Sequence, residues 1–217
     1  MTTQTSCSTP VVILLVFGLA AAPAYADFFV GGTIGQSDIG SYEFGDDTVQ
    51  ENDDSDTAYD LFLGWQPLEW LAVTAGYTDF GELKVAGSFD DEGTVNYTDQ
   101  IEATAWDVSL IGILGFDRFA REGSFLARMA VFAQLGVARW DQDISWMDDI
   151  SGAWSGGDDG TNAVYGLGLN FGVTDNLGIH VRWADYGDIG DEDDPNSGHE
   201  QDWAMWGIGG TWSFGGN

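Results

Sequence analysis

The chain has two histidines, His180 and His199, and acid–base or nucleophilic catalysis would start from one of them. His199 stands two residues after Ser197 in an acidic stretch, but no third group is placed to orient the pair, as acyl-transfer chemistry requires. No His/Cys cluster has metal-ligand spacing. The expectation is a protein without catalytic residues and without a cofactor. Two acidic runs, Asp53, Asp54 and Asp56 and then Asp191, Glu192, Asp193 and Asp194, could offer oxygen ligands to Ca²⁺ or Mg²⁺. Neither carries the glycine and distal glutamate of an EF-hand loop, and a solvated, self-repelling surface suited to high salt explains them more simply. A third set is Asp60, Asp107, Arg128 and Arg182. Its charges sum to zero, and they matter only if the elements that carry them point all four side chains inward.

Composition limits what those elements can be. Thirty-six acidic residues face six basic ones in 217, a formal charge of −30. Nucleic-acid binding, which needs a basic face, is excluded. With 44% apolar and 14% aromatic residues, a low-hydrophobicity disordered chain is excluded too. The longest uncharged apolar run, Val11 to Ala22, is too short for a spanning helix, which takes about 20 residues. It reads instead as the h-region of a signal peptide over 1–26, ending in the small-x-small site Ala24-Tyr25-Ala26. The domain proper is then 27–217, exported and free of cysteine.

That remainder shows period-2 alternation in eight segments bounded by Gly, Asp and Asn: about 27–36, 57–66, 70–79, 100–115, 124–140, 161–173, 177–186 and 203–214. Long acidic connections (37–56, 80–99, 141–160 and 187–202) alternate with short ones (67–69, 116–123 and 174–176). The four long ones hold 26 acids and one base, Lys84. An all-β fold follows: an eight-stranded antiparallel up-and-down transmembrane β-barrel with long acidic extracellular loops and short periplasmic turns. Parity agrees. Tyr59, Leu61, Leu63 and Trp65 share a lipid-suited face opposite Ala58, Asp60, Phe62 and Gly64. Leu177, Ile179, Val181 and Trp183 likewise oppose Gly178, His180, Arg182 and Ala184. Trp65, Trp70, Phe116, Phe125, Trp212 and Phe214 are expected at the periplasmic interface, and Tyr59, Tyr77, Trp140, Trp183 and Tyr186 at the outer one. Asp60, Asp107, Arg128 and Arg182 then fall inside the lumen, where paired charges make a plug or, if the pairs switch partners, a gate.

Three stretches carry a family resemblance. FFVGGTIG (28–35) resembles the first strand of the OmpA-type small outer-membrane β-barrel proteins. YGLGLNFGVTDNLGIHVRWADYGDIG (165–190) resembles their penultimate hairpin. WGIGGTWSF (206–214) is similar to their closing strand, whose outward aromatic end serves recognition by the barrel assembly machinery. The resemblance spans 27–214 and implies the barrel alone, without a peptidoglycan-binding domain. It implies the outer membrane of a Gram-negative cell, with lipid and lipopolysaccharide as surroundings. The function expected is non-enzymatic: envelope integrity or surface interaction. The alternatives are a small porin-like barrel, a conductor of hydrophobic ligands and, less favoured, a lipid-modifying enzyme.

Overall fold

The computed structural model describes residues 27–39, 48–53, 55–90, 94–148, 152–190 and 201–215. The expected signal peptide lies outside them, as do Asp54, Asp191 to Asp194, Ser197 and His199. The strands are β1 (Asp27–Ile39), β2 (Thr48–Asp53), β3 (Ser55–Leu68), β4 (Leu71–Asp90), β5 (Thr94–Gly115), β6 (Met129–Asp148), β7 (Gly152–Gly172), β8 (Leu177–Ile189) and β9 (Gln201–Ser213). β2 and β3 pair in succession with the same strand, β4, and so act as one stave. All pairings are antiparallel, and the ladder runs round from β3 through β1, β9, β8, β7, β6, β5 and β4. The result is a closed eight-stranded barrel. The seam is the β1–β9 ladder, from Phe29 opposite Ser213 to Ile39 opposite Trp203. Closure is what hydrocarbon demands, because an open edge would leave backbone groups with no partner.

The long segments depart from the expectation of loops. Residues 80–90 with 94–99, and 141–148 with 152–160, continue the ladders; β5–β6 pairing joins these two hairpins and β2 pairs along the first, so the extension is one sheet. β4, β5, β6 and β7 reach 20, 22, 20 and 21 residues, about twice the length a bilayer needs. Acidic side chains are compatible with strands here because these parts stand beyond the lipid. The fifth strand also begins later than the expected residue 124. Ser124 to Arg128 belong to the connection between β5 and β6, which contains two short 3-10 segments, Phe116–Arg118 and Leu126–Arg128.

Two bulges reset the alternation. In β4 the inward sequence Thr74, Gly76, Thr78, Phe80 resumes at Leu83, and the β4–β5 register shifts between Asp79 and Glu82. Gly81 makes this turn with φ +83°, and a side chain there would collide with the Asp56 carboxylate. In β8 the inward Arg182, Ala184 and Tyr186 give way to Ile189 after a shift between Asp185 and Asp188. Each bulge inserts an unpaired residue and moves the following side chains to the other face.

Candidate functional site

Outward-facing side chains form the lipid surface. Leu61, Leu63, Leu110, Leu135, Leu167 and Ile208 are all more than half exposed, which only a non-aqueous solvent makes favourable. Tyr77 and Trp106 meet at a tilt of 52° across β4 and β5 with centroids 4.8 Å apart, and Tyr165 meets Trp183 at 5.9 Å. With Tyr59 and Trp206 they make the outer aromatic belt; Trp106 and Trp206 belong to it although their strand positions do not stand out in the sequence. Trp70, Phe125, Trp212 and Phe214 face outward at the turn end. Two aromatics expected at the outer interface point inward instead. Trp140 and Tyr186 are buried, because each shares the parity of the interior positions on its strand.

The interior has three levels. Toward the outside, Phe80, Leu83, Ile101, Trp140, Ile144, Tyr186, Ile189, Trp203 and Met205 belong to one buried apolar cluster. Phe80 lies 4.9 Å from Tyr186 and 5.2 Å from Trp203, centroid to centroid. Below it is a charged layer. Arg182 Nη1 donates to Asp60 Oδ2 at 2.5 Å, and Nη2 donates to the Tyr186 hydroxyl at 3.0 Å. Asp60, fully buried, also accepts from Thr33 at 3.2 Å and from Thr78 at 3.3 Å. The Thr78 and Tyr186 hydroxyls are 2.8 Å apart. Asp107 accepts from Ser109 at 2.5 Å, and Ser109 in turn accepts from Gln134 at 2.9 Å. Asp107 fits because Gly76 is opposite it: a Cβ there would stand 2.7 Å from its carboxylate oxygen.

Of the four charged residues expected in the lumen, three meet in this layer and one does not. Arg128 is exposed in the turn between β5 and β6, its Nη2 donating to the Val173 carbonyl at 2.9 Å. The reason is its backbone: it ends a 3-10 turn before β6 begins, so strand parity does not govern it. His180 is buried beside the layer, its Nε2 3.0 Å from the Thr33 hydroxyl and its ring between Phe62 and Phe132. Thr33, His180 and Asp60 have the composition of a catalytic triad but the wrong order. Asp60 accepts from the hydroxyl and does not bind the imidazole, so the Thr33 proton is directed to Asp60 and His180 has no carboxylate to orient it as a base. Thr33, Thr78, Ser109 and Tyr186 are the members of the network that sequence reasoning passed over. Their signal was parity, since each lies on the inward face of its strand.

The third level is a cavity of about 170 Å³ that runs from Arg182 and Asp107 toward Gln66 and Ser213 at the turn end. On the outer wall, Asp56 spans a gap in the β3–β4 ladder, accepting from Thr57 N at 2.6 Å and Glu82 N at 2.8 Å. Its oxygens therefore serve the backbone. Asp53 lies in β2. Among the described residues no group of three or more His, Cys, Asp or Glu side chains could hold a metal ion.

A closed barrel with a lipid-facing apolar belt, aromatic rims and a polar, packed interior defines a transmembrane protein of the bacterial outer membrane. The chain belongs to the family of the OmpA-like transmembrane domain, whose model matches residues 23–217. Among solved structures, it is similar to the outer membrane protein OprG from Pseudomonas aeruginosa at 14% identity. That match covers 87% of this chain and 96% of the other, with a TM-score of 0.51. Neisserial surface protein A is similar at 13% identity, over 87% and 99%, with a TM-score of 0.49. Ail of Yersinia pestis, solved in complex with the heparin analogue sucrose octasulfate, is similar at 12% identity, over 87% and 97%, with a TM-score of 0.44. No curated protein matches the sequence, and no enzyme family is indicated.

Proposed function

We propose that this barrel is a non-enzymatic component of the outer membrane, contributing to envelope integrity or surface interaction, with a lumen closed to solute flow. The observation that carries this reading is the buried Arg182–Asp60 pair lying directly beneath the Phe80, Tyr186 and Trp203 cluster. An ion crossing the barrel would have to part the charged layer and then displace packed aromatic side chains. An eight-stranded barrel has an interior just wide enough for its own side chains or one small ligand, and here charged and aromatic fillings lie in series across it. The surfaces left for function are the outer acidic rim and the lipid belt. The rim repels lipopolysaccharide phosphates unless Ca²⁺ or Mg²⁺ bridges them. The closing strand, with Phe214 outward, is the segment offered to the assembly machinery.

Planar-bilayer recording of the refolded barrel tests the closure. The expected result is little or no steady conductance at 1 M KCl. A large, stable conductance would overturn the closed-lumen reading and favour the porin-like one.

A further inference from the structure

We propose that the cavity at the turn end of the lumen is a binding pocket for a small organic cation, a primary alkylammonium, held by Asp107 with its stem among the apolar side chains of the wall. Three observations lead there. The first is charge. Asp107 and Arg182 are the charged side chains lining the cavity, and Arg182 places Nη1 on Asp60 and Nη2 on Tyr186. With Asp60 behind it, the layer has a formal charge of one negative. Asp107 is 6% exposed, and its hydrogen-bond partner is the neutral Ser109 hydroxyl. A carboxylate held in so enclosed a site either takes up a proton or is stabilised as the anion by a counter-cation.

The second observation is position. Gly76 is the register partner of Asp107. Because Gly76 has no side chain, the Asp107 carboxylate lies over it, where a Cβ would stand 2.7 Å from Asp107 Oδ1 and 3.5 Å from Asp60 Oδ1. An ammonium on the cavity side of Asp107 therefore sits in the field of two carboxylates.

The third is the wall. Phe29, Phe132, Ile111 and Ile113 line the space, so it suits an apolar stem better than the hydration shell of Na⁺ or K⁺. Its volume holds about ten waters by the measure of one probe sphere each, enough for an ammonium with a short alkyl chain. It also leaves room for a water to satisfy Arg182 Nε, which is buried with no acceptor. Thr74 and Gln134 border the same space and offer oxygens to the remaining ammonium hydrogens. The pocket extends to the turn end, so entry is from the periplasm. This inference goes beyond the closed-lumen reading, and the two fail separately: one is read by conductance, the other by binding.

The test is titration of ¹⁵N-labelled full-length barrel, in zwitterionic micelles at 0.3 M NaCl, with n-butylammonium chloride and with n-butanol. Butylammonium is expected to shift the Gly76 and Ser109 amides saturably, at least tenfold more tightly than butanol. Asp107→Asn should remove that preference and leave butanol unchanged. Ala130→Phe, which fills the cavity without altering charge, should abolish both responses, and it decides the matter even if Asp107→Asn fails to fold. Equal affinities for amine and alcohol, as a protonated Asp107 would give, overturn the proposal. So does the absence of saturable shifts at these amides, or an Asp107→Asn barrel that keeps its preference for the amine.

Discussion

Replacing Arg182 by Met keeps most of the side-chain volume and removes the cation from the charged layer. Asp60, fully buried, would retain the Thr33 and Thr78 hydroxyls at 3.2 and 3.3 Å and lose its charged partner at 2.5 Å. The Tyr186 hydroxyl would lose its donor while keeping Thr78. Removing one member of a buried ion pair costs about 3–5 kcal/mol, mainly because the remaining charge stays buried and unpaired. The expected loss for Arg182→Met is therefore about 3–5 kcal/mol. The second half of the cycle isolates that cause. Asp60→Asn combined with Arg182→Met keeps an acceptor for both threonines and leaves no uncompensated charge at Asp60, so at least half of the lost stability should return. Urea unfolding of the barrel in lipid vesicles, followed by the fluorescence of its ten tryptophans, measures both, provided the denaturant slope is unchanged. A single-mutant loss below about 1 kcal/mol, or a double mutant no more stable than the single, would refute the assignment of Arg182–Asp60 as the charged core of the lumen.

Gly35→Val should break the closing seam, because a Cβ at Gly35 collides with the Trp206 carbonyl oxygen; the wild type is expected to migrate faster in cold SDS than after boiling, and the variant to lose that shift. Asp99 lies on β5 beyond the outer aromatic belt, and burial pushes its carboxyl up to about 6. The folded state then holds that proton where the unfolded chain has released it, so stability should fall as pH rises from about 4 to about 6 and level off above; in Asp99→Asn this component of the slope should disappear when unfolding is measured across pH. The 26 acids of the long outer segments repel over about 30 Å at 0.01 M salt and about 3 Å at 1 M. Protease cleavage of those segments should consequently slow across a NaCl or CaCl₂ series, after correction for the protease's own salt response, while the lipid-embedded parts of the strands stay intact.

The lipid face, the alternation and the identity of the barrel's staves were legible along the chain because they are local. A side chain's face follows from the period of two, so Leu61, Leu167 and Val181 read as outward and Asp60, Asp107, His180 and Arg182 as inward without any partner strand being known. The end of a strand is less local. Arg128 looked inward by counting, yet its backbone is a 3-10 turn, and parity has no meaning outside a strand. The acidic stretches 80–99 and 141–160 read as loops because charge is incompatible with lipid; their described residues, 80–90, 94–99, 141–148 and 152–160, are strands because pairing is set by the partner across the ladder, and water rather than lipid surrounds them there. The bulges at Gly81 and before Asp188 reverse the faces of Leu83 and Ile189, a shift visible only when two strands are laid side by side. Register was the deepest gap. That Arg182 meets Asp60, that Asp107 lies over Gly76, and that Tyr186 ties the charged layer to the aromatic cluster above it all depend on stagger between staves. Stagger belongs to the closed barrel as a whole, since it is the ring of ladders, and not any single strand's pattern, that must come back into register with itself.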